Sequence, residues 1–126
     1  MLKKAQFIGI APQLIVPDVS KAVAFYTDKL GFSVIGLVLD PPVYGMVERD
    51  GIQIHFGKSD MKTLKTNRDF RKISTDFIIW VPEIETYFEE IKNNGVEILE
   101  PITLRPYGSR EFIIKDCNGF LITFGD

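Results

Sequence analysis

The sequence predicts an α+β fold of two βαβββ modules, because the first half of the chain is written again in its second half. Val16-Pro17-Asp18-Val19 opens a helical pattern that stops at Gly31, and Val81-Pro82-Glu83-Ile84 opens another that stops at Gly95. Asp50-Gly51-Ile52-Gln53-Ile54-His55-Phe56 is likewise matched by Asn118-Gly119-Phe120-Leu121-Ile122-Thr123-Phe124. The two pairs run in the same order at nearly the same offset, about half the chain. Finally, the apolar period changes from helical to two-residue at matching places in both halves.

Each element has its own signal. Ile84, Tyr87, Phe88 and Ile91 fall at the i, i+3, i+4, i+7 spacing of one buried helical stripe. Gly95, after Asn93-Asn94, suits a left-handed C-terminal cap. The first helix repeats this with Val19, Val23, Tyr26 and Leu30, and Asp18 is placed to cap its start. Ile52, Ile54 and Phe56 alternate with Gln53 and His55, and Phe120, Ile122 and Phe124 alternate with Leu121 and Thr123, as strands do. Asp50-Gly51 and Asn118-Gly119 mark hairpin turns. Strands are expected near 7–16, 32–38, 43–49, 51–57, 75–81, 96–99, 110–115 and 120–125. They should form curved mixed sheets with the helices outside.

At 126 residues the chain is one domain, with module 1 at about 7–57, a linker at about 58–73 and module 2 at about 74–126. A net charge of −2 argues against general nucleic-acid binding. The basic stretch Lys58, Lys62, Lys65, Arg68, Arg71 and Lys72 is read as the solvated connection between modules. The longest uncharged run, Ala5 to Pro17, is too short to span a bilayer, and no cleavage pattern follows it. No membrane partner and no signal peptide are therefore expected. Cys117, the single cysteine, cannot form an internal disulfide, and the cytoplasm is the expected compartment. Asp116 beside it should raise its pKa, which argues against a nucleophile. No glycine-rich phosphate loop is present; His55 with Asp76 or Glu111 offers a metal-free acid–base pair, but no constellation demands catalysis.

Alternation also assigns faces. Leu14, Val16, Phe77, Ile79 and Val81 should meet the helices, which leaves Ala11, Gln13, Gln53, His55, Asp76, Trp80 and Thr123 on the opposite face. One face supplied by both modules and lined with polar and aromatic groups is a groove; the plainer alternative is that these residues only face solvent.

The chain resembles the vicinal-oxygen-chelate superfamily of glyoxalases, extradiol dioxygenases and bleomycin-resistance proteins. The resistance proteins are the nearest in motif. Ala11-Pro12 to Leu14, then Asp18-Val19, Ala22-Val23, Phe25, Thr27-Asp28 and Leu30-Gly31-Phe32, is similar to their amino-terminal signature. Pro106-Tyr107-Gly108-Ser109-Arg110-Glu111-Phe112, with Asp116, Asn118-Gly119 and Phe124, is similar to their carboxy-terminal one. The resemblance implies a homodimer with two grooves, each built from both subunits. It also implies, in many members, an exchanged amino-terminal strand hinged near a proline such as Pro12. Tyr107 matches a groove aromatic of the resistance proteins, and Tyr44 falls where another is expected.

Enzymes of this superfamily usually hold a divalent ion at four slots, which fall here at Ala11, His55, Asp76 and Thr123. Only His55 and Asp76 are ordinary ligands, and a catalytic site normally needs about three. Gln53 would serve only if the strand register slipped. The expectation is therefore a binding protein without metal or other cofactor. It would sequester a bleomycin-like antibiotic or another aromatic or cationic small molecule between Tyr44, His55, Asp76, Trp80, Tyr107 and Thr123. The sequence departs from the resistance proteins in charge, since the stretch after Gly31-Phe32 keeps only Asp40 as an acid, with Asp76 as another candidate and a basic connection nearby. The competing reading is a metal-dependent glyoxalase- or dioxygenase-like enzyme with an atypical ligand set.

Overall fold

The computed structural model describes residues 3–61 and 64–126; Lys62 of the basic stretch lies outside them. Module 1 runs β1 (Gln13–Val16), α1 (Val19–Asp28), β2 (Ser33–Val38), β3 (Tyr44–Arg49) and β4 (Ile52–Lys58). A one-turn helix, α2 (Asn67–Phe70), interrupts the connection. Module 2 repeats the order with β5 (Phe77–Trp80), α3 (Ile84–Asn93), β6 (Glu97–Leu104), β7 (Arg110–Lys115) and β8 (Leu121–Gly125). The strands make two four-stranded mixed sheets, β1-β4-β3-β2 and β5-β8-β7-β6, so the duplication read in the sequence is a duplication of topology.

The local chemistry behaves as its residues dictate. Asp18 caps α1 by accepting from Lys21 N at 3.1 Å. Gly31 and Gly95 end the two helical segments at φ +80° and +81°, a conformation that costs glycine nothing. Asp50 and Gly51 both take positive φ, as the two-residue hairpin between β3 and β4 requires. The longer β7–β8 loop is held by Asp116, whose Oδ1 accepts from Asn118 N at 2.8 Å and Phe120 N at 2.9 Å.

Two strand bounds differ from expectation by more than two residues, for physical reasons. The first strand starts at Gln13 rather than residue 7, and residues 3–12 lie outside any strand. Pro12 has no N–H to give the ladder, and the partner strand β4 begins only at Ile52. The arm consequently exposes Phe7, Ile8 and Ile10 at 100, 95 and 94%. Conversely, β6 continues past Pro101 to Leu104 instead of stopping at 99. It is an edge strand, and register shifts around Glu100 absorb a residue that cannot donate.

Both helices and the inward faces of both sheets share one core. Val16, Tyr26, Leu30, Ile54 and Phe56 from module 1 are buried in the same cluster as Ile84, Ile91, Phe112, Ile122 and Phe124 from module 2. Polar ties cross the seam. Tyr26 Oη donates to Asp116 Oδ2 at 2.7 Å, Tyr87 Oη to the Leu30 carbonyl at 2.9 Å, and Asn94 Nδ2 to the Lys29 carbonyl at 3.1 Å. Arg49 bridges Glu90 at 2.6 Å and the Leu30 carbonyl at 2.9 Å. With the inward faces consumed this way, each sheet is left with an open outer face.

Candidate functional site

The outer face of the second sheet carries a cavity of about 910 Å³. Its floor is Ile78, Ile113 and Thr123, side chains that alternation turns away from the core. Trp80, at the end of β5, and Tyr107, in the β6–β7 loop, stand as walls, each 70% exposed. The basic connection supplies one rim through Arg68, Arg71 and Lys72, while Glu100, Arg105 and Glu111 supply the other.

Most polar groups inside are already paired. Arg105 Nη2 lies 2.8 Å from Glu100 Oε1, and its Nε donates to Glu111 Oε1 at 3.2 Å. Tyr107 Oη donates to the same Glu111 oxygen at 2.7 Å, which raises the phenol above its ordinary pKa. The Thr75 and Thr123 hydroxyls share a hydrogen bond at 2.8 Å. Asp76 Oδ1 accepts from Asn67 N and Oδ2 from Leu121 N, both at 2.8 Å. That carboxylate ties the connection to β8, with each oxygen engaged by a backbone amide.

On the outer face of the first sheet a second polar group forms. Tyr44 Oη lies 2.7 Å from His55 Nδ1, and His55 Nε2 lies 2.9 Å from Gln53 Oε1. A carbonyl oxygen only accepts, so Nε2 carries the proton and Nδ1 accepts from Tyr44. The two rings meet edge to face at 5.5 Å.

Of the six residues expected to line a groove, Asp76, Trp80, Tyr107 and Thr123 come together around one cavity. Tyr44 and His55 do not join them within one chain; they lie on the other sheet. Arg105 and Glu100 were not singled out from the sequence. Their signal was available in the charged residues flanking the Pro106-Tyr107-Gly108 loop. Glu111 pairs with Arg105 and Tyr107, whereas its neighbour Arg110 turns to Glu85 and Asp126.

A divalent metal fits the four slots poorly. Ala11 has no donor, the Thr123 hydroxyl is bonded to Thr75, and both Asp76 oxygens hold backbone amides. Both His55 ring nitrogens are engaged as well. Among the described residues no three His, Cys, Asp or Glu side chains gather at metal-binding distance. Burial, and then Asp116, push the Cys117 thiol up to about 11, away from nucleophilic use at neutral pH.

The fold and the duplicated outer faces define a class. The chain belongs to the Glyoxalase/Bleomycin resistance protein/Dioxygenase superfamily, whose family model matches residues 8–124. Solved structures share the fold across nearly their whole length. TioX from Micromonospora sp. ML1 is 17% identical with a TM-score of 0.75, over 94% of this chain and 98% of its own. A bleomycin-binding protein from Streptomyces verticillus, complexed with copper(II)-bleomycin, is 23% identical with a TM-score of 0.74, over 96% and 97%. A glyoxalase-related enzyme from Clostridium phytofermentans is 20% identical with a TM-score of 0.76, over 98% of each chain. No curated protein matches the sequence. Among the described residues, no helix is long and apolar enough to cross a membrane.

Proposed function

We propose that this chain is a metal-free binding protein that sequesters an aromatic small molecule, of the antibiotic type, in a groove completed by a second copy. The observation that carries the reading is the pair of exposed rings, Trp80 and Tyr107, walling a cavity whose carboxylates already have donors. Such a cavity has stacking surface to offer and little uncommitted acid–base chemistry. The second copy is supported by the separation of Tyr44 and His55 from the other four residues, since another chain's first sheet would supply them. It is also supported by the exposed apolar residues of the arm at Phe7, Ile8 and Ile10.

Calorimetric titration tests the reading, with bleomycin and neutral aromatic compounds as probes. Binding should be close to one ligand per groove, and Tyr107→Ala should weaken a planar ligand by about 0.5–1.5 kcal/mol beyond the contact area lost. Absence of heat from every aromatic probe would overturn the binding function. A near-stoichiometric divalent metal in the purified protein would instead favour the enzymatic reading.

A further inference from the structure

We infer that the aromatic ligand of this groove carries an anionic group, held at the rim by Arg71 and Lys72 with Arg68 behind them. The inference rests on the binding function proposed above and gives its ligand a charge. Three cations from the connection line the cavity, and none of them has a carboxylate within ion-pair distance among the described residues. Arg68 Nε donates to the Ser74 carbonyl at 3.1 Å and Arg71 Nη1 to Ser74 Oγ at 3.0 Å, both neutral oxygens. These bonds point the guanidinium stems along the rim while leaving their charge uncompensated. Arg71 and Lys72 are exposed, and Arg68 is half-buried.

The anions of the same cavity are in a different state. Arg105 is shared between Glu100 and Glu111, and Glu111 takes a further donor from Tyr107. Asp76 spends both oxygens on backbone amides. Three cations without an ion-pair partner thus face two carboxylates without one of their own, Asp76 and one of Glu100 and Glu111, and the four cations of the lining exceed its three acids by one. A carboxylate, sulfonate or phosphate on a ligand whose ring packs on Trp80 would meet fixed positive charge beside a low-dielectric wall. A cationic ligand would meet repulsion at the same rim. The basic stretch is then part of the site as well as a solvated connection.

A matched set of probes separates this inference from the one it rests on: 2-naphthoate, 2-naphthylmethanol and 2-naphthylmethylammonium, titrated by calorimetry. Trp80 is the only tryptophan, so its indole N–H resonance reports whether each probe occupies this groove. The anion should bind about tenfold tighter than the cation, with the alcohol between, and the preference should shrink at high salt. Arg71→Gln/Lys72→Gln should erase the preference, while Lys21→Gln, on the remote surface of α1, should leave it intact. Thermal melts check that the variants fold, and the three-probe comparison on the unmodified protein stands without them. Equal affinity for all three probes, with Trp80 shifting, would overturn the charge inference and leave aromatic binding standing. An anion preference that survives the double variant would also overturn it. No Trp80 shift with any probe would overturn both.

Discussion

Tyr26 sits in the core with no exposed surface, and its hydroxyl donates to an Asp116 that is itself buried. Burial raises the Asp116 carboxyl above its ordinary pKa, although Tyr26 and two backbone amides pull the other way. A raised carboxylate makes the fold less stable as pH climbs from the unfolded pKa through the folded one. Tyr26→Phe keeps the ring and removes one of the bonds that lower this pKa. It should cost about 1–3 kcal/mol at pH 7 and less as pH falls toward 4 and the acid takes up its proton. Urea unfolding at the two pH values checks the sign; an equal cost at both would show that the hydroxyl does not solvate the carboxylate. The stripe position of Tyr26 was legible from helical spacing, but its partner was not. Asp116 lies in the other module, and only the packing of one module on the other brings it near. Asp76 shows the same division. Alternation put it on the outer face, yet its oxygens end on the amides of Asn67 and Leu121 because the α2 turn folds back toward β8.

At the scale of elements, the strands and both long helices were legible because their apolar periods are clean and their turns carry Gly, Asn or Asp. The α2 turn was hidden in a charged stretch, although Thr66 and Asp69 have capping spacing and Thr66 N donates to Asp69 Oδ2 at 2.6 Å. What holds the elements together across the seam is a small polar cluster centred on Arg49 at the end of β3. It bridges Glu90 on α3 and caps the end of the α1 segment through the Leu30 carbonyl. The hydrogen bond from Arg49 keeps the Glu90 carboxyl below its ordinary value of 4.5. A depressed carboxylate adds stability above its unfolded pKa, and that stability is lost as pH falls through the folded one. Both side chains are about a third exposed, so solvent screens the pair and Arg49→Ala should cost only about 1 kcal/mol at pH 7. The cost should fade below about pH 4.5 as Glu90 protonates. Thermal melts across that range test it, and a pH-independent loss would assign the effect to the Leu30 carbonyl and to the Tyr87 ring, over which the guanidinium lies at 5.0 Å.

The whole molecule is where sequence reasoning stopped short. Internal repetition made the two modules visible, and alternation made a polar and aromatic outer face visible on each. It did not say that the helices and inward faces would merge into one core, which leaves the two outer faces on separate sheets. A groove walled by all six expected residues therefore needs two chains. The protein should run as a dimer of the 14.3 kDa chain in light scattering, and dilution should weaken ligand binding and association together. That coupling follows from linkage: if Tyr44 and His55 reach the ligand only from a partner, ligand stabilises the dimer and the dimer stabilises bound ligand. His55→Ala should then lower affinity for 2-naphthoate in the dimer, although His55 lies outside the cavity that one chain forms. A concentration-independent mass of 14.3 kDa, with full binding retained, would confine the site to the Trp80 and Tyr107 face.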